Sequence, residues 1–215
     1  MASTLSRLEK LVANSTNAFL EEVRTIIAQR PAHAWLGYFG RKQDMPYTEA
    51  MALTVDALFD ALGHDLTDIA VANANWLGHD YMTWQSVNEW PPGQLELINA
   101  AVKVGLLRLI DVEREYGGNV SDEQFEQMSK DVRVSEAGLY GEKALRDFLT
   151  LKMSFYSPDG KFFIISKSRK LCFYPHDDAG FGVYALAQDA DIEFGRTFLR
   201  KVGESQGFFL TTKPL

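Results

Sequence analysis

Residues 157–175 read SPDGKFFIISKSRKLCFYP, and the fold class turns on this stretch. Ser157-Pro158-Asp159-Gly160 places proline second and glycine fourth in a type I turn, positions that suit proline's fixed φ and glycine's freedom. The turn predicts a hairpin joining a strand over 151–156 to one over 161–167. Lys167-Ser168-Arg169-Lys170 makes a second turn into a strand over 171–175, and Gly182 to Leu186 supplies another. Strand alternation sends Phe162 and Ile164 to one face, Phe163 and Ile165 to the other. Apolar residues on both faces imply a sheet covered on both sides. A helix over 189–203 and a last strand over 208–211 complete this part.

Upstream, the spacing of apolar residues is mostly helical. Leu5, Leu8, Leu11, Val12, Phe19, Val23, Ile26 and Ile27 recur at three- and four-residue steps, and Arg30-Pro31 ends the run. Ala34 to Phe39 reads as a short aromatic strand. Thr48 as N-cap and Gly63 as stop bracket a helix ending at Leu62, and Ile69 to Ala72 reads as a buried strand. Pro91-Pro92-Gly93 opens the longest expected helix, Gln94 to Tyr116, closed by Gly117-Gly118. Ser121 followed by Gln124 is a capping-box signal for a polar helix reaching Arg133, and a further helix is expected over 141–149. The expected architecture is α+β, with a helix-rich N-terminal two-thirds (1–150) packed on a C-terminal antiparallel β-meander (151–215). The two parts share the core of a single domain, 1–215.

The charge pattern is as informative as the periodicity. Sixty residues, Gln43 to Val102, contain no Lys or Arg, although the chain holds 22 in 215; composition alone would place about six there. Nine acids occupy the span: Asp44, Glu49, Asp56, Asp60, Asp65, Asp68, Asp80, Glu89 and Glu96. On the expected helix ending at Leu62, Glu49, Asp56 and Asp60 fall on one face. Asp56 and Asp60, four apart, repel by roughly 0.2–0.5 kcal/mol, and Asp60 opposes the helix dipole at its C-terminus. Penalties tolerated without a neighbouring cation point to a site serving something besides folding. Trp76, Tyr81, Trp84 and Trp90 stand beside these acids as candidate aromatic anchors. The alternative is internal neutralisation by Lys167, Arg169, Lys170, Arg196, Arg200 and Lys201.

Composition excludes several classes. Net charge is −7 and unevenly spread, acidic over residues 1–151 and slightly basic over 152–215, a dipolar arrangement that argues against the basic face nucleic acids want. No run of about 18 apolar residues suits a membrane span. One cysteine, Cys172, fits a reducing compartment and reads as a buried thiol in a strand; a cytoplasmic protein is expected. No phosphate-binding loop or zinc-type cysteine spacing occurs. Ala179-Gly180-Phe181-Gly182 lacks the following helix that a phosphate site needs.

Three of the four histidines precede aspartate: His64-Asp65, His79-Asp80 and His176-Asp177-Asp178. Imidazole with carboxylate can hold a divalent metal that activates water. The likeliest cluster is His64, Asp65, His79 and Asp80, with His176 and Asp177 next. His33, His64-Asp65 and a later Asp together resemble the ligand order of the HD-type metal phosphohydrolases. That family carries its dipeptide within a helix, whereas Gly63, Gly78 and Pro175 place these pairs at turns, where Asp commonly caps.

The expectation is an acidic binding protein, without cofactor, that masks a basic protein partner, as a bacterial toxin-immunity protein neutralises its toxin. Glu49, Asp56, Asp60, Asp65 and Asp80 would meet the partner's cations, and Tyr81 and Trp84 would fill its apolar pockets. The alternative is a metal-dependent hydrolase using the histidine-aspartate pairs.

Overall fold

The computed structural model describes residues 35–78, 93–118, 120–121, 123–124, 127–128, 132–154 and 158–212. The N-terminal helix expectation, the aromatic stretch around Tyr81 and Trp84, and His79-Asp80 lie outside them. In chain order the elements are β1 (Trp35–Arg41), α1 (Tyr47–Leu62), β2 (Ile69–Gly78), α2 (Gln94–Lys103), β3 (Arg108–Ile110), α3 (Val112–Tyr116) and β4 (Arg133–Glu136). There follow α4 (Glu142–Met153), β5 (Asp159–Ser166), β6 (Leu171–His176), β7 (Gly180–Ala185), α5 (Ile192–Gly203) and β8 (Phe208–Thr212).

All eight strands join one mixed sheet, ordered β3-β2-β5-β6-β7-β1-β8, with β4 also paired to β2. This overturns the expected division into a helical N-terminal part and a C-terminal meander. Four strands arise before residue 150, and β2 pairs with β5 over eight positions, Ile69↔Ser166 to Trp76↔Asp159. β1 is inserted between β7 and β8. The β2–β3 pair is parallel. Such pairings join segments far apart in sequence, so no local pattern announces them.

Two element assignments change as well. The expected helix over 94–116 stops at Lys103. Gly105, at φ +79°, turns the chain, and Leu106, Leu107 and Ile110 are buried beside and within β3. Asp111 then caps α3, its carboxylate accepting from Arg114 N–H at 3.0 Å. The stretch expected as one helix is thus a helix, a turn, a strand and a second short helix in succession. The expected strand over 151–156 does not form at its start either, since residues 151–153 are the last turn of α4. Gly160 sits inside β5 rather than in a hairpin turn. Its φ is +93°, and a Cβ there would overlap the Ala74 carbonyl oxygen, so glycine serves the close approach of β5 to β2.

Other expectations hold. α1 ends at Gly63, which has φ +78°; Thr48, however, lies within its first turn, and Pro46 occupies the N-cap position without a side-chain cap. Ser121 and Gln124 bond reciprocally at 2.9 and 3.3 Å, although Arg133 begins β4 instead of ending a helix. Phe162 and Ile164 enter the larger core cluster, on the helix side with α1, α4 and α5. Phe163, Ile165 and Cys172 enter a second cluster with Ala70, Ala72 and Leu186. The sheet therefore buries apolar side chains on both faces. Cys172 is fully buried there, and burial pushes its thiol pKa up, leaving it inert.

Candidate functional site

α1 is amphipathic in the expected sense. Ala50, Met51, Thr54, Val55, Leu58, Phe59 and Leu62 are buried, while Glu49, Leu53, Asp56 and Asp60 face outward. Offsets of four, three and four residues put these four on one stripe. Leu53 is 48% exposed in the middle of the three acids.

The supporting helix, α4, sends one cation to this stripe. Arg146 donates through Nη1 to Asp56 Oδ1 at 2.6 Å and through Nε to Glu142 Oε1 at 2.6 Å. Its guanidinium lies 4.4 Å from the centre of the Phe59 ring, so packing fixes the charge in place. His64 completes the arrangement, with Nδ1 3.1 Å from Glu142 and Nε2 3.8 Å from Asp60. Bonding to Arg146 first, and then to His64, holds the Glu142 carboxyl below its ordinary range. Asp56 and Glu142 thus share one guanidinium, and Asp60 faces the imidazole of His64. Asp56 and Asp60 remain 65% exposed.

The C-terminal cations that were candidates for internal neutralisation go elsewhere. Lys167 binds Glu136 at 2.6 Å, Lys170 binds Asp189, and Arg200 binds Glu193 at 2.9 Å. Arg169 stacks 4.2 Å over Phe194. Among the described residues none of them pairs with a carboxylate of α1.

Other candidates prove structural. Asp65 accepts from Thr67 N–H at 2.9 Å and caps the short 3-10 turn before β2; that bond lowers its pKa. Asp68 ties the same turn to the β5–β6 connection through Ser166 Oγ, Ser168 N and Ser168 Oγ, at 2.7, 2.8 and 2.9 Å. Trp76 is 9% exposed within β2 and is not an anchor on the surface. Asp80, Tyr81 and Trp84 lie outside the described residues.

Of the histidine-aspartate pairs, His64-Asp65 diverges: the imidazole turns to Glu142 while the carboxylate turns to Thr67. His176, Asp177 and Asp178 stay together at the β6–β7 turn, with possible ligand atoms within 4.8 Å of one another. Local roles account for much of this group. The His176 ring stacks on Tyr38 at 4.7 Å. Tyr47 O–H reaches the carbonyls of Met153 and Asp177, and Arg41 N–H donates to the Asp178 carbonyl at 2.8 Å. Burial, above all, raises the Asp178 pKa.

Comparison adds nothing to this geometry, for no protein-family model, curated protein or solved structure matches the chain. Among the described residues no helix is long and apolar enough to cross a membrane.

Proposed function

We propose that the protein binds and masks a basic protein partner through the outward face of α1, in the manner of a bacterial toxin-immunity protein. One observation carries the reading: Glu49, Asp56 and Asp60 surround exposed Leu53, and among the described residues Arg146 is the one Lys or Arg that pairs with any of them. The carboxylates would steer a positively charged surface into place and pair with its Lys and Arg side chains. Leu53 would supply the water-excluding centre that charged rims lack. Asp80, Tyr81 and Trp84 extend the same acidic, cation-free segment and are the additional contacts proposed. A stable complex of this kind buries roughly 1,200–2,000 Å².

The test has two stages. Full-length protein serves as bait in a lysate of its native host, beside a Glu49→Lys, Asp56→Lys, Asp60→Lys variant. Association of any captured partner is then timed at low and high salt. A basic partner retained only by the native chain, with an on-rate that falls steeply with ionic strength, supports the proposal. Equal capture by the variant, or an on-rate indifferent to salt, removes it.

The competing reading is a metal-dependent hydrolase, favoured only by the convergence of His176, Asp177 and Asp178. Elemental analysis and thermal melts with Mn²⁺, Zn²⁺ and Mg²⁺ separate the two readings. No bound metal and no stabilisation would eliminate the hydrolase.

A further inference from the structure

β2 changes partner along one of its edges. Residues 70–73 pair with β4 and residues 76–78 with β3, while the other edge stays joined to β5 from 69 to 76. Ala74 and Asn75 fall in the gap between the two partners. A cavity of about 70 Å³ opens at this break, lined by Asn73, Asn75, Trp76, Arg108, Ile110 and Arg133 with a few neighbours.

The two asparagines are out of character for their positions. Alternation places Asn73 and Asn75 on the face of β2 that also carries Val71 and Leu77, which lie in the main core. They are 8% and 5% exposed. A buried amide costs about 1–3 kcal/mol unless its polar atoms are met. Both polar atoms of the Asn73 side chain have partners: Nδ2 donates to the Leu106 carbonyl at 2.7 Å, and Oδ1 accepts from Asn75 N–H at 3.0 Å and from Asn75 Nδ2 at 2.5 Å. Asn75 Nδ2 also donates to the Lys161 carbonyl at 2.8 Å.

These bonds fix which way Asn75 points. Exchanging its oxygen and nitrogen would set Oδ1 against Asn73 Oδ1 and the Lys161 oxygen, acceptor against acceptor. Asn75 Oδ1 is therefore the group left over, buried and without a partner. Asn75 is one of the residues that line the cavity. The charged residues of the cavity are both cationic: Arg133 is exposed and has no ion pair among the described residues, while Arg108 is held by Glu115 at 2.6 Å.

We propose that this cavity binds a small carboxylate bearing an adjacent O–H or N–H donor, the chemistry of a short α-hydroxy or α-amino acid. The donor meets Asn75 Oδ1 and the carboxylate meets Arg133. One water needs about 10–15 Å³ of such cavity space, so the cavity has room for the head of such a molecule. The site shares no residue with the α1 face and stands or falls separately from it.

The test uses the full chain and four probes: glycolate, lactate, glycine and acetate, the last lacking the donor. Thermal melts and the side-chain amide signals of uniformly ¹⁵N-labelled protein are followed through each titration. Glycolate, lactate or glycine should raise the melting temperature saturably and move the Asn75 side-chain signals, with acetate about tenfold weaker. Arg133→Gln, at an exposed position, should leave the unliganded melt unchanged and weaken binding about tenfold. No response to any donor-bearing acid overturns the proposal and leaves an ordered water as the partner of Asn75. Equal binding of acetate and glycolate overturns it too, as does unchanged affinity in Arg133→Gln, because either result reports unspecific attraction of anions.

Discussion

Arg146 Nη1 lies 2.6 Å from Asp56 Oδ1, joining residues 90 positions apart. This bond fastens α4 to α1 and also sets the charge of the proposed binding face. One side chain therefore bears on stability and on recognition in opposite senses.

Replacing Arg146 by alanine should lower stability by about 1–2 kcal/mol, from a partly exposed ion pair together with the stacking on Phe59. Equilibrium urea unfolding measures this as a lower midpoint with an unchanged slope. The same substitution removes the one Lys or Arg that, among the described residues, pairs with an acid of the α1 face, so association with a basic partner should quicken at low salt. A variant that is less stable and also slower to associate would argue that Arg146 belongs to the interface itself.

Leu53 offers a cleaner separation of folding from binding. It is 48% exposed, so Leu53→Ser should change stability by less than about 0.5 kcal/mol. As the apolar centre of the face it should cost at least about 1 kcal/mol in affinity for the captured partner, chiefly through faster dissociation. Unaltered dissociation would remove Leu53 from the contact.

Lys152 predicts a pH dependence with a definite sign. Burial lowers its pKa to about 8, and its Nζ donates to the carbonyls of Pro158 at 2.5 Å and Gly160 at 3.3 Å. The folded protein releases this proton before the unfolded chain does, whose lysines titrate near 10.4. Between those values the unfolded state binds more protons, so stability contributed by this group rises with pH. Melting temperature should climb from pH 8 to pH 10 in the native protein, and the climb should vanish in Lys152→Met.

Gly160 and Gly117 both have positive φ, yet alanine should affect them differently. At Gly117, the left-handed cap of α3 with φ 70° and ψ 31°, a Cβ would meet nothing within 4 Å, and alanine should cost about 1 kcal/mol. At Gly160 a Cβ would run into the backbone of Ala74, so alanine must push β5 from β2. A loss beyond about 3 kcal/mol is expected, read by chemical denaturation. Equal losses at the two sites would mean that β5 yields easily.

Much of the C-terminal part was legible in advance. The alternation of Phe162 to Ile165, the turn at Lys167–Lys170 and the strand that follows are all set within a few residues, and all three appear in the structure. The cation-free span likewise led to α1, whose three acids share a face as their spacing required. The break at Gly105 was missed because Leu106 to Ile110 suit a buried strand as well as a helix, and apolar spacing alone does not separate them. The sign was present in Asp111, a capping residue in the middle of the supposed helix. A similar sign lay in Ala72-Asn73-Ala74-Asn75-Trp76, where two polar residues interrupt the inward-facing register of an apolar strand.

Sequence alone determined which residues seek burial, where short-range turns fall, and that one long segment carries no cation. Those properties depend on side-chain chemistry and on neighbours a few positions away. Tertiary structure decided that β2 and β5 pair, that β1 enters between β7 and β8, that Arg146 reaches Asp56, and that Asn75 keeps an unpaired oxygen in a cavity. Each joins segments separated by at least thirty residues, and the hydrophobic effect that drives such meetings is non-directional. Periodicity states that a face must be covered; only the folded chain states by what.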